Sequence, residues 1–415
     1  MRIVVTGASG FVGRRVVPSL VASGARVLVV GRDVPKLETL FGSSVEACSY
    51  ADLATASRGA DALLHLAVLN NDRSGTPDDF RRANVTLLEE VVDAARDAGI
   101  GLFIQTTTLK ALDPARSDPY ATTKREAERF LASREDLRCV TLRLAAVYAD
   151  DAYKGTLGIL EKVPAFLRPS LRGALMCARP AVHVDRVSDA VLGILNDPPA
   201  ARHVERPVTD CQKGNRVYAA MARTIDLAIA LGIIVFLWWL MLLIWAVVRF
   251  SSPGPGLFAQ TRVGREGKPF TCYKFRTMYQ GTRQAATHAI GTASVTRVGS
   301  FLRRSKLDEL PQVFNIVLND MSFVGPRPCL PSQHELVAER QRRGILSIKG
   351  GITGWAQIRD IDMSDPVRLA AVEAGYLAMR TTLLDLWIII ATFTGSGQGD
   401  RVTAEARIGE EPSGR

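Results

Sequence analysis

The chain has 415 residues, enough for two domains with full cores. Its formal charge is +10, but no nucleic-acid-binding motif accompanies that excess, so nucleic acid is not an expected partner. The six cysteines, Cys48, Cys139, Cys177, Cys211, Cys272 and Cys329, are scattered without a C-x-x-C pair or metal-ligand spacing, which suits a reducing cytosol.

The β-branched run of residues 2–6 predicts a strand that ends in Gly7-Ala8-Ser9-Gly10-Phe11-Val12-Gly13. A helical pattern follows, with Val16, Val17, Leu20 and Val21 on one face. Strand, glycine turn and helix form the context of a dinucleotide fingerprint. Gly7, Gly10 and Gly13 let the backbone approach a pyrophosphate, and the helix N-terminus offers N–H donors. A second strand, residues 26–30, leads to Arg32, where an NAD-selective site carries an acid. Arg32 can pair with a 2′-phosphate and favours NADP(H) over NAD(H), while Asp33 beside it weakens that preference. Asp52 follows the third strand, where an acid can bind the adenine amine. His65 closes a fourth strand, Asn84 opens a helix, and Thr106-Thr107-Thr108 close a fifth strand. Tyr120 and Lys124 stand one helical turn apart. A lysine at that spacing lowers the tyrosine pKa, so the phenol can exchange a proton with a carbonyl or hydroxyl. Thr108 would hydrogen-bond the same oxygen. Each of these signals alone has an ordinary structural explanation.

Together they resemble the extended short-chain dehydrogenase/reductase family of nucleotide-sugar epimerases, dehydratases and ketoreductases, over about residues 1–200. Residues 143–148 and His183-Val184-Asp185 match family segments. The resemblance implies a catalytic Thr108, Tyr120 and Lys124 and a nucleotide-sugar ligand. Dehydratases of the family place Asp-Glu directly after the catalytic Thr, whereas this chain has Leu109-Lys110. That leaves 4-ketoreduction or 4-epimerisation. The substrate region is short, so a domain that only binds and regulates is the alternative.

Residues 227–248 form an apolar block of 22 residues with no charged or polar side chain. As a helix it would measure about 33 Å, enough to cross a hydrocarbon core. Arg216 and Arg223 precede it and Arg249 follows, so flanking charge sets no orientation. From Arg249 to Lys306 there are eleven Lys or Arg and one acid, Glu266. A basic stretch beside a membrane segment points to anionic lipid headgroups, phosphorylated substrates, or both.

Beyond Ser252-Pro253-Gly254-Pro255 stand Gln260-Thr261-Arg262-Val263-Gly264, Lys274-Phe275-Arg276-Thr277-Met278 and Lys306-Leu307-Asp308-Glu309-Leu310-Pro311-Gln312. Asp320-Met321-Ser322, Val324-Gly325-Pro326-Arg327-Pro328 and Ile352-Thr353-Gly354-Trp355-Ala356-Gln357 complete the set. Asp308 and Glu309 are adjacent carboxylates among many cations, suited to a nucleophile or metal ligand and its partner. A carboxylate attacking a diphosphate needs the phosphate charge neutralised. Mg²⁺ and the guanidinium forks of Arg276, Arg303 and Arg327 can do that.

Residues 224–394 resemble the monotopic phosphoglycosyl transferases, also called bacterial sugar transferases. The resemblance implies that Asp308 attacks a UDP-sugar, releases UMP and passes the phosphosugar to polyprenyl (undecaprenyl) phosphate. It makes Glu309 the partner of Asp308 at a Mg²⁺ site, and Lys274, Arg303 and Arg327 active-site cations. Three positions depart from the family. The mid-helix Ser-Pro break is replaced by Phe236-Leu237-Trp238-Trp239-Leu240-Met241, the usual Pro before Gly351 is Gly350, and a usual Asp is Glu373.

The expected fold is α/β. A doubly wound parallel sheet occupies residues 1–205, a linker 206–222 and a membrane helix 223–250. A small, mostly helical catalytic domain spans 251–394, and a disordered tail follows at 395–415. Both globular domains need cytosolic substrates, so the helix is read as re-entrant from the cytoplasmic face of a bacterial inner membrane. The expected partners are UDP-sugar, polyprenyl phosphate and membrane lipids, and the reading allows a homodimer.

Overall fold

The computed structural model describes residues 1–70, 75–112, 117–153, 155–282 and 294–395. The expected disordered tail lies outside the described residues from position 396 onward. The chain divides into two compact units, Met1–Gly214 and Asn215–Arg415.

The first unit is built on strands Arg2–Thr6 (β1), Arg26–Val30 (β2), Glu46–Cys48 (β3), Ala62–His65 (β4), Leu102–Thr108 (β5) and Arg138–Leu144 (β6). They pair in parallel in the order β3-β2-β1-β4-β5-β6, with His203–Val208 added at the edge beside β6. Inner strands of a parallel sheet are covered on both faces and read as continuous apolar runs. Ile3, Val4 and Val5 of β1 are accordingly fully buried. Helix α1 (Gly13–Ala22) contributes Val16, Val17 and Leu20 to the core. The strand order reverses between β1 and β4, where Thr6 is level with His65. Such a reversal opens the ligand crevice of a doubly wound sheet at the carboxyl ends of the strands. Gly7 sits there with φ +72°, and a Cβ on it would stand 2.4 Å from the Ala67 amide nitrogen.

The second unit is organised along one uninterrupted helix, Arg216–Ser251, about 54 Å long at 1.5 Å per residue. It begins inside the stretch that the sequence reads as a linker. Asn215 caps it by accepting a hydrogen bond from the Tyr218 amide at 3.2 Å. The Tyr218 hydroxyl donates to Asp385 at 2.5 Å in the terminal helix Thr382–Phe393. Further along, Arg223 donates to the carbonyls of Ile316 and Val317 at 2.7 and 3.0 Å. Asp226 accepts from the Phe323 amide at 2.9 Å and from the Ser322 hydroxyl at 3.0 Å. Ala230 is buried in one core with Val313, Ile316 and Met321, and Ile244 and Val248 in another with Phe275 and Leu302. The long helix is therefore held by its own unit from one end to the other. Its remaining face is exposed and apolar, with Phe236 74%, Trp238 60% and Trp239 55% accessible.

Around this helix lie the antiparallel hairpin Leu257–Val263/Pro269–Phe275 and the parallel pair Met321–Val324/Gly350–Thr353. Gly325 and Gly351 bring two backbones into contact, since a Cβ on Gly351 would lie 2.1 Å from the Gly325 nitrogen. Arg340 on helix His334–Arg342 binds Glu373 on helix Pro366–Met379 through two bonds of 2.8 and 2.6 Å. Both side chains are almost completely buried, 2% and 4% exposed. Removing one partner of such a pair leaves an uncompensated buried charge. Glu373→Ala should therefore destabilise the second unit by about 3–5 kcal/mol. Thermal unfolding of the detergent-solubilised protein checks this, and an unchanged midpoint contradicts it.

Candidate active site

In the second unit the site grows from the carboxyl end of the hairpin. Lys274 is the penultimate residue of strand Pro269–Phe275, paired in register with Phe258. Helix Arg297–Arg304 supplies Arg303, whose Nε donates to the Thr277 hydroxyl at 2.9 Å. The chain then turns through Lys306, held in the left-handed region at φ 57°, into the short helical turn Leu307–Glu309. A non-glycine residue in that region is an uncommon, sterically costly choice. It follows directly on the Arg303 helix and sets the direction of the turn that carries Asp308 and Glu309. Arg327 arrives on the loop after strand Met321–Val324. Arg262 grips that loop by donating to the Pro328 carbonyl at 3.0 Å, and the Val263 amide donates to the Cys329 carbonyl at 2.9 Å.

One oxygen of Glu309 accepts from both Lys274 Nζ and an Arg327 guanidinium nitrogen, each at 2.7 Å. Burial opposes ionisation of Glu309, but Arg327 and Lys274 outweigh it and hold the carboxyl well below the usual carboxylate range. Asp308 behaves oppositely. Burial, then the Glu309 charge, push it up to about 6 against Lys274, Arg327 and Arg303. Among the described residues, no ion pair restrains the Asp308 carboxylate, which is 8% exposed. Two adjacent acids are thus split into one that is clamped and one that remains available.

Asp308, Glu309, Lys274, Arg303 and Arg327 line one cavity of about 1,770 Å³. Its other wall is apolar, with Ile233 and Leu237 from the long helix and Ile389 and Phe393 from the terminal helix. Arg276 borders the cavity but is differently employed. Its guanidinium donates to the carbonyls of Val248, Ser252 and Pro253, so it caps the C-terminal end of the long helix. A cation there satisfies carbonyls that have no intrahelical partner. Two residues from Lys274, Arg276 would share its face if the strand continued, but the strand ends at Phe275 and the side chain turns to the helix end instead. Arg262 belongs to a quoted motif, but its hold on the Arg327 loop has no local sequence signal.

The Asp308–Glu309 pair suits Mg²⁺, which takes one or two carboxylates and completes its shell with water and phosphate oxygens. The observation behind this fit is Asp308 itself, a buried carboxylate beside Glu309 that, among the described residues, no side chain holds in an ion pair. Among the described residues, no group of three or more metal-type side chains forms a closed cage.

In the first unit, Gly7, Gly10 and Gly13 stand at the mouth of the crevice. A Cβ on Gly13 would lie 2.5 Å from the Ala8 carbonyl oxygen, which explains that glycine by close packing. A Cβ on Gly10 would meet only the Gly7 carbonyl oxygen, at 3.1 Å, so that position is open to a pyrophosphate. Arg32 is exposed just beyond β2. Asp33 caps helix Val34–Phe41 by accepting from the Lys36 amide at 3.1 Å, which commits it to the backbone. Asp52 accepts from the Ser49 hydroxyl at 2.6 Å. Thr108 ends β5, and its hydroxyl oxygen accepts from the Lys110 amide at 3.3 Å. Tyr120 and Lys124 lie on helix Pro119–Ala132, and Lys124 Nζ reaches β5 to donate to the Thr106 carbonyl at 3.2 Å. Burial pushes the Lys124 ammonium down to about 8. Asn84 falls in a π-helical turn and ties Leu69 to Thr123.

A parallel sheet with a glycine crevice and a separate unit with a carboxylate–cation site define two families, and direct comparison finds both. The chain belongs to the bacterial sugar transferase family through residues 217–398, and residues 3–206 match the NAD dependent epimerase/dehydratase family. It is 37% identical over 170 residues to the uncharacterized sugar transferase EpsL of Bacillus subtilis, covering 40% of this chain and 84% of that one. It is 38% identical over 189 residues to UDP-glucose:undecaprenyl-phosphate glucose-1-phosphate transferase of Xanthomonas campestris pv. campestris, covering 42% of this chain and 38% of that one. A third relative is UDP-N-acetylgalactosamine-undecaprenyl-phosphate N-acetylgalactosaminephosphotransferase of Aeromonas hydrophila. It is 34% identical over 188 residues, 43% of this chain and 42% of that one. The chain thus spans less than half the length of the Xanthomonas and Aeromonas relatives.

If Arg32 reads a 2′-phosphate, Arg32→Asp should move the preference of the full-length protein from NADP(H) to NAD(H). Fluorescence titration with each dinucleotide checks this. An unchanged NADP(H) to NAD(H) affinity ratio contradicts it.

Proposed function

We propose that the second unit transfers a sugar-1-phosphate from a UDP-sugar to polyprenyl phosphate through Asp308. The observation that carries this reading is the divided carboxylate pair in a cavity with one cationic and one apolar wall. An oxygen of Asp308 attacks the sugar-bearing phosphorus, and the bond from that phosphorus to the UMP oxygen breaks. UMP leaves, and the phosphosugar is held on Asp308 as an acyl phosphate, a mixed anhydride. A phosphate oxygen of polyprenyl phosphate then attacks the same phosphorus and frees Asp308, giving a polyprenyl diphosphate sugar. Lys274, Arg303 and Arg327 offset the phosphate charge. Mg²⁺, held by Asp308 and Glu309, would supply further charge neutralisation at the diphosphate. The apolar wall of Ile233, Leu237, Ile389 and Phe393 suits the prenyl chain. The names of the Xanthomonas and Aeromonas relatives, both undecaprenyl-phosphate transferases that use UDP-sugars, support the same substrate pair.

The first unit, in this reading, binds NADP(H) and adjusts the nucleotide-sugar by 4-ketoreduction or 4-epimerisation, with Thr108, Tyr120 and Lys124 at the reacting carbon. The commitment of Asp33 to its helix cap supports Arg32 as the group that meets the adenosine ribose. One observation favours a second reading, in which this unit binds dinucleotide and regulates. Lys124 is 2% exposed and spends its ammonium on the Thr106 carbonyl.

The long helix, on this account, is re-entrant, with both globular units in the cytosol; because it runs unbroken from Arg216 to Ser251, that arrangement requires it to bend within the bilayer. Its support is the attachment of Tyr218 at one end and Val248 at the other to the same unit. A helix crossing the bilayer would carry one of those attachments away from the catalytic core.

Two outcomes are expected. Asp308→Asn should stop UMP release from UDP-sugars by at least about a thousandfold, because an amide is a poor nucleophile and cannot balance a cation. Turnover at the unmodified rate would refute the role of Asp308. Single cysteines at Gly214 and Thr282, in an otherwise cysteine-free chain, should both resist a membrane-impermeant reagent in intact cells. Labelling of just one of them from outside would mean that the helix spans.

A further inference from the structure

Lys274 and Arg327 come from a hairpin strand and a glycine-proline loop far apart in sequence, yet both converge on a single oxygen of Glu309 at 2.7 Å. The Glu309 side chain is 11% exposed, against 20% for Lys274 and 26% for Arg327. The carboxylate is therefore the most buried of the three, and all three line the same cavity. A diphosphate that takes these two cations as its clamp must share them with an anion already bonded to both.

Resting on the transferase reading above, we propose that Glu309 competes with the substrate diphosphate for Lys274 and Arg327, and that a divalent cation relieves the competition. The geometry gives the competition its direction. Both cations use the same Glu309 oxygen, so a phosphate oxygen that bonds to either of them lies beside a like charge whose side chain is only 11% exposed. Like charges at that range repel strongly where the dielectric is low. A cation between Glu309 and the phosphate replaces the repulsion by two attractions and releases Lys274 and Arg327 toward the diphosphate. Glu309 is thus a positioning residue whose charge makes diphosphate capture conditional on metal. This favours metal-loaded diphosphates over metal-free ones.

The test is calorimetric titration of the full-length, detergent-solubilised protein with UDP, which carries the diphosphate but no sugar to transfer. Unmodified protein, E309Q and E309D are each titrated with EDTA and with Mg²⁺, and uridine serves as the phosphate-free control. With EDTA, E309Q should bind UDP at least about tenfold more tightly than the unmodified protein. Mg²⁺ should raise the UDP affinity of the unmodified protein and of E309D by about tenfold and leave that of E309Q nearly unchanged. Uridine affinity should be equal in all six cases. A role in folding alone would weaken UDP binding, whereas competition predicts a gain. Equal or weaker UDP binding by E309Q with EDTA overturns the proposal. If E309Q does not fold, the unmodified protein still decides, because UDP affinity independent of Mg²⁺ in it overturns the proposal as well. Failure of every form to bind UDP under both conditions overturns the transferase reading itself.

Discussion

Two cations sharing one Glu309 oxygen draw the hairpin, the glycine-proline loop and the Asp308 turn onto a single atom. Lys274 fixes the end of the hairpin, Arg327 fixes the glycine-proline loop, and the short turn carrying Asp308 is held between them. The charge balance follows from that geometry. Glu309 is stabilised as an anion by its two partners, and its charge together with burial destabilises the neighbouring Asp308 carboxylate. The site thus holds an acid clamped by two cations and, one residue away, an acid outside any ion pair among the described residues. Environment alone separates their roles, which is a recurring way to obtain two functions from like groups.

The long helix gives this site its second wall. Three of its polar residues, Tyr218, Arg223 and Asp226, lie near one end and bond to the rest of the second unit. Its other end is capped by Arg276 through backbone carbonyls. Between them the exposed side is aromatic and aliphatic, and the terminal helix adds Trp387, Ile390 and Phe393, all exposed. Exposed apolar faces on this scale mark membrane or partner contact. Ile233 and Leu237 belong to the same long helix and also line the active-site cavity. The sidedness argued for the helix and the access argued for a lipid substrate therefore rest on the same element.

Much of this was legible from residue order alone, and the reasons differ by element. The boundaries of β1 and β2 follow directly from β-branched runs that stop at a glycine turn and at Gly31. The Asp308–Glu309 pair, Lys274, Arg303 and Arg327 stand out because acids among clustered cations call for a charged ligand. Other features depend on three-dimensional pairings that no local pattern encodes. The edge strand His203–Val208 has mostly exposed side chains and so carries no burial period. The start of the long helix at Arg216 depends on a cap at Asn215 and on Tyr218 meeting Asp385, 167 positions away. Arg276 has the residue type of a phosphate clamp, but its partners are the carbonyls of a helix end. The Arg340–Glu373 pair lies within a segment where a glutamate reads as a family departure, and only its buried partner explains it.

The central claim is that Asp308 forms the bond to the transferred phosphosugar. The most direct measurement is mass spectrometry of the full-length protein, quenched in acid after mixing with a UDP-sugar in the absence of polyprenyl phosphate, then digested and mapped. The account predicts a peptide containing Asp308 that is heavier by one phosphosugar and returns to its original mass when polyprenyl phosphate is added before the quench. A phosphosugar carried on another residue, or UMP released with no mass gain on any peptide at any quench time, would contradict it.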